Sequence, residues 1–79
     1  MENKILEIVN EIMENKNGNK IDRFNGELSL VNDLDFDSFD LAELTVRIED
    51  EFGVDIFEAG IIDKLNEVKS AILGGLKNE

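Results

Sequence analysis

The apolar residues of this 79-residue chain recur at steps of three and four, and they never alternate in twos for long enough to suggest a sheet. That periodicity restricts the fold to packed helices. Ile5, Leu6, Ile8, Val9, Ile12 and Met13 form one stripe, with Glu7, Asn10, Glu11 and Glu14 between them, and Asn17-Gly18-Asn19 interrupts it. A second helix is predicted from about Ser38 to Phe52. Asp37 suits its N-cap, Asp40 stands where an acidic variant of the capping box needs it, and Gly53 suits the left-handed position just past the end. Asp55 with Glu58 predicts a brief third helix through about Ile61, weakened by Gly60. The last helix is expected from about Leu65 to Leu73, with Leu65, Val68, Ile72 and Leu73 as its stripe and Gly74-Gly75 as its end. Residues 19–36 show no period. Ile21, Phe24, Leu28, Leu30, Val31 and Leu34 are expected to pin them as a long ordered loop, a feature often functional in so small a domain. The expected architecture is all-α, a four-helix bundle with a long loop after the first helix and a short third helix.

The length suits a single domain over residues 1–79, with a thin core. Composition then removes whole classes of function. The chain has no cysteine and no histidine, so disulfide frameworks, thiolate sites, histidine-based metal catalysis and the familiar triads are out of reach. No nucleophile–base pair can be assembled from what remains, and no catalytic residue is expected. Nineteen acidic residues against eight basic ones give a net charge of −11. Nucleic acid binding lacks its basic footprint, and an anionic membrane surface would repel the chain. The charge points to a protein partner with a basic patch. No apolar run reaches the length of a membrane span, and the N-terminus lacks a signal-peptide pattern. A cytoplasmic monomer is the expectation.

The second helix carries apolar residues on two sides. At about 100° per residue, Leu41, Leu44, Thr45, Ile48 and Phe52 fall on one face. Phe39 and Val46 fall nearly opposite, beside Ala42, Glu43, Arg47, Glu49 and Asp50. Scattered exposed apolar residues are ordinary. Here eight acidic residues and one basic residue, Arg47, lie between Asp33 and Glu51. An apolar spot in an acidic rim suits docking to a basic partner with a small apolar pocket.

The run Leu30-Val31-Asn32-Asp33-Leu34-Asp35-Phe36-Asp37-Ser38-Phe39-Asp40-Leu41-Ala42-Glu43-Leu44 resembles the acyl carrier protein family. That family carries L-x-x-D-L-G-x-D-S-L-D-x-x-E-L at the start of its second helix. Leu30, Asp33, Leu34, Asp37, Ser38, Asp40, Glu43 and Leu44 match it. The likeness continues through Glu49-Asp50-Glu51-Phe52-Gly53-Val54-Asp55-Ile56 and weakly through Val68 and Ile72. The resemblance implies a non-catalytic carrier. Its serine, here Ser38, would be modified by a phosphopantetheinyl transferase using coenzyme A. The covalent 4′-phosphopantetheine arm would then hold acyl or aminoacyl groups as thioesters for fatty-acid, polyketide or related biosynthesis. It implies that Asp37 helps position the magnesium–coenzyme A complex. It also implies that Asp40, Glu43, Glu49 and Asp50, with Ala42 and Val46 beside them, meet partner synthases, acyl-transfer enzymes or ligases through their basic patches; Arg47, on the same helix face, is expected to join them. A serine in the first turn of a helix suits a phosphate, because unpaired N–H groups and the helix dipole favour an anion there.

Two positions depart from the pattern: Asp35 stands for the family's glycine and Phe39 for its leucine. Aspartate tolerates the left-handed conformation a glycine often marks. The histidine common before the serine in peptidyl carriers is Asp37 here, which favours the acyl type. Two other readings compete. Asp33, Asp35 and Asp37 are spaced like the first ligands of an EF-hand, but Ser38, Leu41 and Leu44 stand at its sixth, ninth and twelfth positions. The other is an acidic adaptor that binds a basic partner without modification.

Overall fold

The computed structural model describes residues 1–16, 18–57, 60 and 62–77, with the side chain of Lys77 excepted. Three α-helices organise it: α1 (Glu2–Asn15), α2 (Ser38–Phe52) and α3 (Leu65–Lys77). Among the described residues the bundle therefore has three helices and not the four expected. At the position of the expected short helix, Ile56 and Phe57 form a turn, and the Asp55 carboxylate accepts from the Phe57 N–H at 3.0 Å. Gly60 has φ 120°, which no right-handed helix tolerates. Asp55 thus closes a local turn where the sequence suggested a cap. Glu58, Ala59 and Ile61, the rest of that expected helix, lie outside the described residues.

Each helix buries most of the stripe its spacing predicts, but Leu6 is only half-buried and Leu73, expected in the last stripe, is exposed because it is turned away from the core-facing side of α3. Ile5, Ile8, Val9, Ile12 and Met13 of α1 meet Leu44 and Ile48 of α2 and Leu65, Val68 and Ile72 of α3 in one core. The α2 boundaries fall where the cap signals put them, and Gly53 takes φ 73° just past the end. Gly74-Gly75 does not end α3, which runs on to Lys77. The pair resembles a stop signal, yet Gly75 lies so close to Val54 that a Cβ there would come within 2.4 Å of Val54 Cγ1. The glycine lets α3 approach the loop after α2, and the approach offsets its poor helix propensity.

Residues 19–36 form the long ordered connection that was expected. Leu30 and Leu34 are buried, and Ile21, Phe24 and Leu28 pack against the core. Val31 does not join them and stands exposed. Phe36, unassigned in the sequence reading, is buried instead. Polar clamps finish the job. The Asn10 side chain accepts from the Ile21 N–H and donates to the Ile21 carbonyl, both at 2.9 Å. Ser29 and Lys64 make an isolated antiparallel bridge. Beside it the Leu30 N–H donates to the Asp63 carbonyl at 2.7 Å, and the buried Ser29 hydroxyl donates to the Asp63 carboxylate. The connection is thereby held at both ends and delivers the chain to the head of α2. No helix among the described residues is long and apolar enough to cross a membrane.

Candidate functional site

The head of α2 is built from short-range polar contacts. Asp37, in extended backbone, accepts from the Asp40 N–H at 2.9 Å. Asp40 returns the bond, its Oδ2 accepting from the Asp37 N–H at 3.1 Å. That reciprocal pair is a capping box, with aspartate in the place usually held by glutamate or glutamine. Ser38 is the first residue of the helix and is exposed. A helix start leaves its first N–H groups without intrahelical partners. Asp40's is taken by the cap, which leaves those of Ser38 and Phe39 beside the hydroxyl.

The turn leading into Ser38 needs outside support. Asp35 sits at φ 57°, the left-handed region, as a residue standing for a glycine should. Phe36 anchors the turn in the core, with its N–H donating to the Leu30 carbonyl at 2.9 Å. Lys16, just past α1, reaches across to it. Its Nζ donates to the Asp35 carbonyl and lies 2.6 Å from Asp40 Oδ2, over the Phe36 ring at 5.5 Å from its centroid. Hydrogen bonding to Asp40 raises the Lys16 pKa; its burial cost and the nearby charges of Asp40, Asp35 and Asp37 modify the shift without reversing it. Partial burial pushes the Asp40 carboxyl up, but the Lys16 ammonium and the Asp37 N–H outweigh it, and the group ends below its ordinary value. Sequence reasoning missed Lys16. Its contacts lie 19 and 24 residues away, beyond any helical spacing.

The three aspartates that mimicked an EF-hand do not converge. Asp33 accepts from the Ser29 N–H at 2.7 Å, Asp37 caps α2, and Asp35 contributes its carbonyl to Lys16. Among the described residues no group of three His, Cys, Asp or Glu side chains can hold a metal ion.

Below Ser38 the outer face of α2 carries the remaining predicted residues. Phe39 is 83% exposed and Val46 65%, with Ala42, Glu49 and Asp50 also exposed. A shallow depression of about 450 Å³ is lined, among the described residues, by Val46, Glu49 and Asp50. Glu43 and Arg47 are half-buried and already paired. Arg47 Nε donates to Glu43 at 2.8 Å and its Nη1 to Glu11 of α1 at 2.5 Å. Asp40 is held by Lys16. The predicted set therefore divides into exposed residues with no side-chain partner among the described residues (Ala42, Val46, Glu49 and Asp50) and residues committed to internal pairs (Asp40, Glu43 and Arg47).

The site thus consists of an exposed serine at a capped helix start, above an acidic and apolar helix face. The chain belongs to the phosphopantetheine attachment site family, whose model matches residues 3–68. It is thus a small, non-catalytic, all-helical carrier domain whose cofactor is phosphopantetheine. Over 72 residues it is 33% identical to an acyl carrier protein from Buchnera aphidicola subsp. Schizaphis graminum (strain Sg), a match covering 91% of this chain and 85% of that relative. No solved structure matches the chain.

Proposed function

We propose that this chain is a single carrier domain that holds acyl or aminoacyl intermediates on a 4′-phosphopantetheine arm attached to Ser38. The observation that carries the reading is the exposed Ser38 hydroxyl at the first position of α2, behind the Asp37–Asp40 capping box. The Ser38 and Phe39 N–H groups and the positive end of the helix dipole suit the phosphodiester that attachment creates. When bound, the arm supplies a terminal thiol, which forms activated thioesters and which no residue of this chain provides. The exposed hydroxyl leaves room for a phosphopantetheinyl transferase, and Asp37 lies next to it for the magnesium–coenzyme A complex. Partner enzymes of fatty-acid, polyketide or related biosynthesis dock on the outer face. Val46 and Ala42 supply apolar contact, and Glu49 and Asp50 meet basic residues. Asp40, Glu43 and Arg47 flank that surface and shape it through their internal pairs.

Absence of cysteine gives a clean test. After treatment with coenzyme A, magnesium and a phosphopantetheinyl transferase, and removal of small molecules, the unfolded protein should titrate one thiol per chain. An acyl donor and its ligase should then block that thiol reversibly toward hydroxylamine. Ser38→Ala should titrate none. A protein that serves its partners equally well as Ser38→Ala would be an unmodified acidic adaptor.

A further inference from the structure

We propose that Lys16 is a positioning residue for the modification of Ser38, holding the turn that presents the hydroxyl to the transferase. This rests on the assignment of Ser38 as the attachment point.

Between Asp33 and Asp40 the chain carries four carboxylates and no cation. The counter-charge has to come from elsewhere in the fold, and Lys16 brings it from the end of α1. Its single ammonium grips three points around Ser38. It donates to the carbonyl of Asp35, three residues before, lies over the ring of Phe36, two before, and binds Oδ2 of Asp40, two after. Asp40 Oδ2 also accepts from the Asp37 N–H, so the same oxygen ties the lysine into the capping box. Asp35 holds a left-handed conformation that costs energy for any residue but glycine, and its carbonyl is one of the groups Lys16 secures. Another lysine that pairs across the bundle, Lys69, binds Glu2 of α1 and touches none of this.

Without Lys16 the four carboxylates repel one another unopposed and the turn opens. Lys16 touches neither Val46, Glu49 nor Asp50, the exposed residues of the outer face, so the transferase still binds there. What falls is the fraction of encounters in which the Ser38 hydroxyl sits where the transfer needs it. The loss therefore belongs in kcat rather than KM.

The test measures transferase-catalysed modification of the full chain, with coenzyme A and magnesium, at saturating and limiting carrier concentration. Wild type, Lys16→Met, Lys16→Arg, Lys69→Met and Ser38→Ala are compared at a temperature where circular dichroism shows each folded. In Lys16→Met, kcat should drop about tenfold with KM little changed, less than the roughly hundredfold that a full ångström of misplacement can cost. Lys16→Arg keeps the charge, the donors and the ring contact, and should recover most of the rate. Lys69→Met should match wild type. Equal kcat for Lys16→Met and wild type, or an equal loss in Lys69→Met, would overturn the proposal. If Lys16→Met does not fold, Asp40→Asn removes the lysine's partner instead. It should lower kcat in the same way, and adding Lys16→Gln to it should cost little more; additive losses would contradict the shared clamp. Wild type left unmodified would remove the Ser38 assignment itself, whereas modified wild type with an indifferent Lys16→Met removes only the role of Lys16.

Discussion

Leu44 and Ile48 on one side of α2 are fully buried, whereas Phe39 and Val46 on the other are 83% and 65% exposed, although all four are apolar and share one helix. The inner pair is what the three-helix core requires. The outer pair contributes nothing to that core and lies beside the free carboxylates of Glu49 and Asp50. The same chemistry of side chain thus serves stability on one face and, in the function proposed above, recognition on the other, and position relative to α1 and α3 decides which. The charges divide in parallel. Arg47 pairs with Glu11 of α1, and Lys16, just past α1, pairs with Asp40 of α2, while Glu49 and Asp50 farther out have no ion-pair partner among the described residues.

The division predicts unequal costs. Leu44→Ala should destabilise the fold by about 2–5 kcal/mol, since it opens a cavity in a core too thin to collapse around it. In a domain this small that approaches the whole stability, and urea denaturation measures it. Val46→Ser should change stability by no more than about 0.5 kcal/mol. It should instead slow acyl transfer to a partner enzyme, seen as a raised KM for the modified carrier. A Val46→Ser variant that unfolds as easily as Leu44→Ala would erase the distinction between the faces.

Acid should separate the clamp from the rest of the surface. Asp40 has a folded pKa below its ordinary value of 3.8. Its contribution is therefore present above pH 3.8 and lost as pH falls through the lower folded value. Lys16 has the opposite sign: its folded pKa is above 10.5, so its contribution is present below pH 10.5 and lost as pH rises through the folded value. Asp40→Asn should flatten the acid limb of a stability–pH curve relative to wild type. Identical acid limbs would mean that the Lys16–Asp40 pair adds no stability.

The smallest effect expected is that of salt. With a net charge of −11, self-repulsion on the outer face should be eased by sodium chloride or magnesium, raising the melting temperature by a few degrees. A melting temperature indifferent to both would show that the outer carboxylates cost the fold nothing.

What was legible in the sequence was local. The start of α2 at Ser38, its Asp37–Asp40 cap, its end at Gly53 and its inner and outer faces all follow from residues within four positions of one another. The left-handed Asp35 was legible because it stands where a glycine was expected. The expected short third helix failed because Asp55 closes a local turn and Gly60 has a positive φ, two facts that a capping pattern does not encode. Gly74-Gly75 misled for a different reason. Its purpose is the approach of Gly75 to Val54, 21 positions away, which no run along α3 reveals. Asn10 in α1 and Lys16 just past it were hidden in the same way, since each looks like an ordinary polar residue until the fold brings the loop back to it.

The central claim is that Ser38 is the point of attachment, and intact mass tests it most directly. The purified full chain, first shown to be folded and not already modified, is incubated with coenzyme A, magnesium and a broad-specificity phosphopantetheinyl transferase. The account predicts a gain of one phosphopantetheine on wild type and none on Ser38→Ala. No gain on wild type with several transferases, or an equal gain on Ser38→Ala, would contradict it.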